Sequence, residues 1–396
     1  MEYPLKNKTI ISFSYDCWDG LWQTRQYIMS RLAINNKVLF VSGQFYIWDI
    51  IEDIGKRKLA KSGLKKINDN LFSYKPLKFF PLIHKFSFLR KIITYGLVKH
   101  IIYLLKKINY NKNDIILYIW RPEFVDMVGK FNEKFICYHI DDDFANFSGT
   151  GSNKSLILKE IDLMKKADIV FVHSKELMNI KKKYARNIHW IPNGVDFEHY
   201  YNIVKSNLIE PSDIKDIKHP RIGYVGRINR KVDFDLIKYI VRERPKWSFI
   251  FIGPVNIDNL YDKNIFLNLQ REKNVYYLGS KKISELPIYI SSLDVCLMCY
   301  RGIDWMVYLY PLKMHEYLAC GKPIVSANLL AVNEFRNIIK IALTREEWIE
   351  YIEDSINEND KELFNKRINI AKNNSWDKRV GDLSNLIHQE LEGPLT

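Results

Sequence analysis

The sequence predicts an α/β protein made of two doubly wound parallel sheets. Apolar, β-branched runs alternate with helical patterns, as expected for parallel strands covered by helices on both faces. The alternation stops in a polar stretch at residues 202–219 and then restarts. With 396 residues the chain also exceeds what one hydrophobic core usually supports, so two domains are expected.

The first domain is predicted at residues 1–200. Each strand candidate is a short apolar run that suits burial on both faces, and the helix candidates lie between them. The predicted strands are residues 8–14, 37–42, 114–120, 134–140 and 168–174, and the predicted helices are residues 21–34, 86–108, 122–131, 154–166 and 175–184.

The second domain is predicted at residues 201–375 and repeats the alternation. Amphipathic helices follow from residue 345 onward, and we expect the last segment, residues 376–396, to pack back on the first domain. Two such domains in series leave a cleft between the carboxyl ends of their sheets, where ligands bind in these folds. The predicted strands are residues 221–226, 248–253, 275–279, 294–300 and 323–327, and the predicted helices are residues 233–244, 284–291 and 312–320.

Composition favours a reduced, cytoplasmic protein. No run of about 18 apolar residues occurs, and the N-terminus MEYPLKNKTI lacks the apolar core of a signal peptide. The five cysteines are scattered and odd in number, unlike a secreted disulfide framework. Cys296 and Cys299 form a C-x-x-C in an apolar run without a second pair at zinc-ligand spacing, so a buried strand is favoured over a metal or redox site.

The net charge of +14 is concentrated in the segment 75–112. No acidic residue occurs between Asn70 and Asn113, and basic residues alternate there with aromatic and aliphatic ones. A stretch that is both basic and apolar is typical of a helix on an anionic membrane surface, so we expect peripheral association with the inner face of the cell membrane. A nucleic-acid partner is disfavoured because no recognition motif is present. The alternative is a core helix with a charged outer face.

The stretch PLKMHEYLACGKPIV, residues 311–325, predicts a short helix that binds an anion. Pro311 suits the first helical position, and Gly321 suits a left-handed cap. Lys313 in the first turn opposes the helix dipole, a conflict that an anionic ligand would remove. Glu316 shares its face, so it can accept hydrogen bonds from two sugar hydroxyls while Lys313 reaches a phosphate. The alternative is a solvent-exposed ion pair.

Three adjacent carboxylates, Asp141, Asp142 and Asp143, follow a predicted strand at its carboxyl end. A carboxylate there can take the proton of an acceptor hydroxyl, and mutual repulsion raises the pKa of at least one of the three. Two alternatives remain open: a D-x-D metal site and an inert helix N-cap. His139 and His173 close strands nearby, and we expect both to be structural.

Arg227 and Lys231 follow the first strand of the second domain. A positive pair at this place can neutralise the charge that grows on a departing diphosphate. For Lys231, a solvated surface charge is the alternative.

Together, IPNGVDFEHY at residues 191–200 and P-x-K-x-x-E-Y-L-A-x-G-K-P at residues 311–323 resemble the motifs of GT-B fold, GT4-like glycosyltransferases. The resemblance covers nearly the whole chain and implies that Glu316 holds the donor ribose. Tyr308 stands where the typical member has a second glutamate, which implies a departure from retaining chemistry. The chain is more similar to the teichuronic-acid and xanthan-type glucuronosyltransferases, whose WD-x-L-W-Q opening it matches at residues 18–23.

The resemblance implies a metal-independent glycosyltransferase that needs no cofactor. It would move a sugar, with a UDP-sugar as the first expectation, to a lipid-linked or polysaccharide acceptor in cell-surface glycan synthesis. Asp142 is favoured as the base of an inverting displacement; a nucleotide-sugar epimerase and a basic nucleic-acid-binding protein are the alternatives. The expected site residues are Asp142 and Asp143 for catalysis, Arg227, Lys231, Tyr308, Lys313, Met314 and Glu316 for the donor, and Trp18, Asp19, Gly20 and Trp22 for the acceptor.

Overall fold

The structure, a computed structural model, confirms the predicted α/β class with parallel sheets. The chain divides into two compact units, one formed by Met1–Pro192 with Arg379–Thr396 and the other by Asn193–Lys378. The division comes at Pro192, earlier than the predicted boundary at residue 200, because the segment after it pairs inside the second unit through Val195 and Ser375. The described residues are 2–43, 63–76, 87–143, 154–206, 209–302 and 304–393.

The first unit is built on an eight-stranded sheet. Its strands are β1 (Thr9–Ser14), β2 (Lys37–Ser42), β3 (Gly63–Lys66), β4 (Leu71–Lys75), β5 (Ile115–Ile119), β6 (Phe135–Ile140), β7 (Ile169–Val172) and β8 (Ile188–Trp190). They lie in the order β3-β4-β2-β1-β5-β6-β7-β8, and neighbours are parallel apart from β3 and β4. All the predicted strands of this unit are present. Strands β3, β4 and β8 were not predicted, since they are short and lack a continuous apolar run.

The helices that connect these strands are α1 (Thr24–Leu32), α2 (Ser87–Lys107), α3 (Lys154–Lys166) and α4 (Lys175–Lys181). Helix α1 begins later than residue 21, where it was predicted to begin, because the Gln26 side chain accepts the N–H of Gln23 (3.0 Å) and fixes the first turn there. The predicted helix 122–131 is only the short 3-10 helix Pro122–Met127, since Gly129 follows with a positive φ of 76°.

The basic, apolar segment 75–112 contains α2. One face of it is buried in the first unit at helical spacing, as the core-helix alternative expects, and the residues of that face are Val98, Ile101, Leu104, Leu105 and Ile108. Residues 77–86 of the segment lie outside the described residues. Over the described ranges, none of the helices has the length and apolar character needed to cross a membrane.

The second unit is built on a six-stranded parallel sheet. Its strands are β9 (Arg221–Val225), β11 (Ser248–Ile252), β13 (Val275–Tyr277), β14 (Val295–Met298), β15 (Ile324–Ala327) and β16 (Lys340–Ala342), and β10 (Ile228–Asn229) pairs separately with β12 (Val255–Asn256). In the order β13-β11-β9-β14-β15-β16, successive strands are added on one side of β9 up to β13 and then on its other side from β14 to β16. The topological switch point of this sheet therefore lies between β9 and β14. In folds of this kind, ligands bind beyond the carboxyl ends of the strands at that point.

Helices cover this sheet. They are α5 (Phe197–Lys205), α6 (Phe234–Glu243), α7 (Leu260–Leu269), α8 (Leu286–Ser291), α9 (Leu312–Ala319), α10 (Arg345–Ile356) and α11 (Lys361–Asn373), followed by α12 (Trp376–Glu392), most of which belongs to the first unit. The core joins sheet residues such as Phe249 and Phe251 to Trp348 and Ile352 of α10. Short 3-10 helices at Asp304–Tyr308 and Leu330–Phe335 follow β14 and β15.

Candidate functional site

Two glycines end β9 and β11 and bring the backbone close to other groups. Gly226 and Gly253 have φ values of 138° and 139°, which residues with a Cβ rarely adopt. The Gly226 N–H donates to the Ile252 carbonyl (2.8 Å), and a Cβ at Gly226 would lie 2.8 Å from Lys313 Nζ. Glycine is therefore needed at position 226 so that Lys313 can lie against the strand end.

Helix α9 is fixed to the end of β9 by a tyrosine. The Tyr317 hydroxyl accepts the N–H of Val225 (2.8 Å) and donates to the carbonyl of the same residue (3.2 Å). Before the helix, the Asn193 side-chain amide donates to the Tyr310 carbonyl (2.8 Å). Both bonds are buried, so they hold the start and the inner face of α9 in place.

The ends of α9 match the prediction at one residue and correct it at the other. Pro311 is the N-cap, with φ of −70° and an extended ψ of 122°, rather than the first helical residue. The reason is that its carbonyl accepts the N–H of Met314, so the first turn begins after the proline. Gly321 has φ of 67° and forms the predicted left-handed cap.

Lys313 is buried, with 9% of its surface exposed. Its Nζ lies 3.4 Å from the centroid of the Tyr224 ring and 5.3 Å from that of the Tyr300 ring, so two aromatic faces stabilise the cation. Burial lowers the pKa of Lys313 to about 7, and the nearby Lys231 cation acts in the same direction while Glu316 opposes it. The alternative of a solvent-exposed ion pair is therefore wrong for Lys313.

Glu316 lies on the same helix, half-buried and close enough to interact with Lys313. Burial raises the pKa of its carboxyl group, and the Tyr200 hydroxyl and Lys313 counteract that rise. The structure thus brings together an ammonium group, a carboxylate and two tyrosine rings at the switch point of the second sheet. This group can bind a ligand that carries both a phosphate and hydroxyl groups.

The other predicted donor residues differ in their surroundings. Arg227 is exposed directly after Gly226, and Lys231 is half-buried after β10. Tyr308 is half-buried at the end of a 3-10 helix. The side chain of Met314 is fully buried in the interior, and its contact with a donor stays a prediction. Hydrophobic periodicity explains this position, since Met314 lies on the inward face of α9.

A cavity of about 450 Å³ opens at the ends of β14, β15 and β16. Tyr300 lines it and also contacts Lys313, so the cavity adjoins the lysine. Tyr224 and Tyr300 were not predicted as site residues, because both were assigned to buried strands. Their only sequence signal is an aromatic residue at the carboxyl end of a strand candidate. The same strand β14 leads to Cys299, whose thiol pKa burial raises to about 12, as the buried-strand interpretation expects.

In the first unit, the acidic residues after β6 have three different environments. Asp141 Oδ2 lies 2.6 Å from a guanidinium nitrogen of Arg25 on α1. Asp143 is 1% exposed, and its Oδ1 lies 3.3 Å from Lys181 Nζ on α4. Asp142 is half-buried, and its Oδ1 accepts the N–H of Asp143 (3.0 Å). Arg25 and Lys181 were missed by the sequence analysis, since no sequence spacing links them to the triplet.

These ion pairs bear on the D-x-D alternative for the triplet. The D-x-D alternative requires Asp141 and Asp143 to offer their carboxylates to a metal ion, whereas each is bonded to a cationic side chain. Among the described residues, no group of three or more His, Cys, Asp or Glu side chains is arranged to hold a metal ion. The N-cap alternative depends on residues 144–153, which lie outside the described residues.

Both histidines near the triplet are buried and bonded inside the first unit, as predicted. His139 Nδ1 lies 2.8 Å from the Tyr118 hydroxyl, and its ring stacks on Trp120 with 4.6 Å between centroids. His173 Nδ1 lies 3.2 Å from the Ile140 carbonyl. Burial lowers the pKa of His139, so the ring stays neutral.

The predicted acceptor residues lie in the loop after β1. Trp18 is 5% exposed and packs edge-on against Phe40, with 5.2 Å between centroids, so its indole belongs to the core and its contact with an acceptor stays a prediction. Trp22 is half-buried against Trp18. Asp19 is exposed and bonded to Lys65 (2.7 Å), and Gly20 is exposed beside it.

Comparison with known proteins finds a family match within the second unit. Residues 219–356 match the family model described as glycosyl transferases group 1. A curated relative, the "Putative teichuronic acid biosynthesis glycosyltransferase TuaH" of Bacillus subtilis (strain 168), is 28% identical over 228 residues, which are 55% of this chain and 56% of the relative. The match thus spans about half the length of that relative.

Solved structures share the fold along nearly the whole chain. Sucrose-phosphate synthase from Thermosynechococcus elongatus has a TM-score of 0.69 at 14% identity, covering 96% of this chain and 98% of that one. HepE of Anabaena in complex with UDP and glucose has a TM-score of 0.65 at 12% identity, covering 96% and 99%. "Trehalose-6-phosphate from E. coli bound with UDP-2-fluoro glucose" has a TM-score of 0.67 at 12% identity, covering 97% and 99%. These likenesses confirm the predicted GT-B fold of two Rossmann-like domains.

Proposed function

We propose that this chain, whose residues 219–356 form a group 1 glycosyltransferase domain, transfers a sugar from a nucleotide diphosphate to a lipid-linked or polysaccharide acceptor. A UDP-sugar is the proposed donor. The observation that carries the proposal is the burial of Lys313 between tyrosine rings beside Glu316, at the switch point of the second sheet. A buried cation of this kind is stabilised by an anion that reaches it.

The donor is proposed to bind through the second unit. Lys313 would meet the diphosphate, helped by Arg227, by Lys231 and by the backbone N–H groups at the start of α9. Glu316 would accept hydrogen bonds from the ribose hydroxyls. Burial raises the pKa of Glu316, while the Tyr200 hydroxyl and Lys313 oppose that rise and so favour the carboxylate form that accepts these hydrogen bonds.

Asp142 is proposed as the base for an inverting displacement. Its carboxylate would take the proton of the acceptor hydroxyl while the acceptor oxygen attacks the anomeric carbon. The bond from that carbon to the diphosphate oxygen breaks, and the nucleoside diphosphate leaves with the electron pair. We do not retain Asp143 as a second catalytic residue, because it is 1% exposed and bonded to Lys181.

No metal or cofactor is included in the proposal. The cations Arg227, Lys231 and Lys313 and the dipole of α9 can stabilise the leaving diphosphate without one. The measurement is turnover after EDTA treatment, with added Mn²⁺ and Mg²⁺ in parallel. Turnover that depends on either cation would contradict this part of the proposal.

The protein is proposed to act at the cytoplasmic face of the cell membrane through the segment 75–112. Although one face of α2 is buried, the outward face exposes Tyr95 (64%), Ile92 (51%) and Tyr103 (50%). Lys99 and Lys107 lie over the rings of Tyr95 and Tyr103, at 5.4 Å and 4.7 Å from their centroids. Lysine and tyrosine together suit the interface of an anionic bilayer. Flotation with vesicles that contain phosphatidylglycerol, compared with neutral vesicles, tests this.

Thermal-shift screening against UDP-, GDP-, TDP- and CMP-sugars tests the donor site, because a ligand that binds the native state raises its Tm. We expect one nucleotide class to raise the Tm of the wild type, and Lys313→Met and Glu316→Gln to lose the rise. Lys246→Met is the matched control, since Lys246 is an exposed lysine of the same unit. A rise that persists in both site variants would overturn the donor site. Epimerised donor without transfer would instead favour the epimerase alternative.

A further inference from the structure

We infer that two buried cations position Asp142: Arg25 holds the residue before it, and Lys181 holds the residue after it. The inference rests on the proposed function, in which Asp142 is the base. Arg25 and Lys181 come from different helices, α1 and α4, and neither was implied by the sequence. They act as positioning residues, since their bonds go to Asp141 and Asp143.

Arg25 joins three loops at the carboxyl edge of the first sheet. Its guanidinium is bonded to Asp141 after β6 (2.6 Å) and also forms an ion pair with Asp16 in the loop after β1. Its Cζ lies 5.8 Å from the ring centroid of Trp120, which follows β5. Arg25 is 6% exposed, so its guanidinium is shielded from water. A single side chain therefore fixes the start of the acidic triplet relative to two neighbouring strands.

Lys181 holds the other end of the triplet. Its Nζ lies 3.3 Å from Asp143 Oδ1 and 2.7 Å from Glu160 Oε2 of α3. Asp143 and Glu160 are 1% and 2% exposed. Burial lowers the pKa of Lys181, but the two carboxylates outweigh it and the net shift is upward, so the cation is maintained. The bonds thus tie the triplet to α3 and α4.

Asp142 lies between these two anchored neighbours, whose carboxylates are engaged by Arg25 and Lys181. With the backbone fixed on both sides, the Cα of Asp142 has little freedom, and its Oδ1 is oriented by the N–H of Asp143 (3.0 Å). A base held this rigidly needs no reorganisation during proton transfer, and misplacement by about 1 Å costs about 100-fold in rate.

The experiment measures donor KM and kcat of Arg25→Gln, Arg25→Lys and Lys181→Met. We expect kcat to fall about 10- to 100-fold in Arg25→Gln and Lys181→Met, with donor KM changed less than about twofold, because the donor residues belong to the other unit. Arg25→Lys should recover part of kcat, since it keeps a cation beside Asp141. Arg31→Gln is the control, because Arg31 lies on the same helix and contacts the Tyr27 ring instead.

Several outcomes would overturn the inference: wild-type kcat in Arg25→Gln, no recovery in Arg25→Lys, or an equal loss in Arg31→Gln. Folding of each variant is checked by circular dichroism and by the Tm rise with donor. Should Arg25→Gln not fold, Lys181→Met decides, and a wild-type kcat in that variant contradicts the inference. Failure of the proposed function gives a different result: full turnover in Asp142→Asn would show that Asp142 is not the base.

Discussion

The ammonium nitrogen of Lys313 lies 3.4 Å from the centroid of the Tyr224 ring, beneath the backbone of Gly226. The lysine is held away from water by aromatic faces and by a strand end that only glycine permits. Burial therefore destabilises the charged form of Lys313 in the free protein, and a bound anion stabilises it. Removal of this charge should therefore weaken the binding of an anion without lowering the stability of the ligand-free protein.

We predict that Lys313→Met weakens UDP binding about 30-fold, which corresponds to the loss of one charge-assisted hydrogen bond of about 2 kcal/mol. The Tm of the ligand-free variant should not fall, because methionine replaces a buried cation with an apolar side chain of similar length. Isothermal titration calorimetry and a thermal melt measure the two effects. An unchanged Kd for UDP in Lys313→Met, with Lys246→Met as control, would contradict the prediction.

Proton uptake should accompany UDP binding. At pH 8 a lysine with a pKa of about 7 is mostly neutral, and a bound diphosphate raises that pKa, so the complex takes up a proton. Titrations with UDP at pH 8 in buffers of different ionisation enthalpy should therefore give different apparent binding enthalpies. The affinity for UDP should also decrease as the pH rises from 6 to 9. Lys313→Met should abolish the buffer dependence. Equal enthalpies in all buffers for the wild type would refute the idea.

Stability should depend on pH through the same lysine. Its pKa in the folded state is lowered to about 7, so between about pH 7 and 10.5 the unfolded state holds a proton that the native state lacks. The contribution of Lys313 to the free energy of unfolding then rises with pH across this window, by an amount on the order of a few kcal/mol. Urea unfolding at pH 7 and pH 9 should show a smaller rise in Lys313→Met than in the wild type.

Gly226 should tolerate no side chain. In Gly226→Ala the new Cβ would lie 2.8 Å from Lys313 Nζ, and the φ of 138° is unfavourable for alanine. We expect the variant to lose the UDP-dependent Tm rise and to be destabilised by roughly 1–3 kcal/mol. The control is Gly63→Ala, because Gly63 has a similar φ of 129° but a Cβ there would meet nothing within 4 Å. Both variants losing the same stability, with UDP binding intact in both, would mean that the Lys313 contact is irrelevant.

Local sequence patterns predicted most of the sheet but little of the site's environment. Apolar runs such as residues 221–226 located the central strands, because strands buried on both faces need a continuous apolar sequence. The motif around Lys313 and Glu316 identified the two charged groups. The tyrosines that enclose Lys313 could not be predicted, since Tyr224 and Tyr300 lie far apart in the chain and meet only through the pairing of β9 with β14.

The same limit explains the acidic triplet. Sequence could identify three carboxylates at a strand end, but the roles of Asp141 and Asp143 depend on Arg25 and Lys181, which come from helices distant in sequence. The core packing of Trp18 was equally unpredictable. Its place in a motif suggested a ligand contact, and only the tertiary structure shows that its ring packs against Phe40.

Substitution of Asp142 and of Asp143 should therefore give different phenotypes. Asp142→Asn should lower kcat about 100- to 10,000-fold, as expected for loss of a general base, while UDP still raises the Tm by the wild-type amount. Asp143→Asn should instead lower the Tm, because it removes a charge from the buried cluster with Lys181 and Glu160. Kinetics with saturating donor and thermal melts of both variants provide the comparison. Full turnover in Asp142→Asn, or a catalytic loss in Asp143→Asn without any loss of stability, would show that the base has been assigned to the wrong residue.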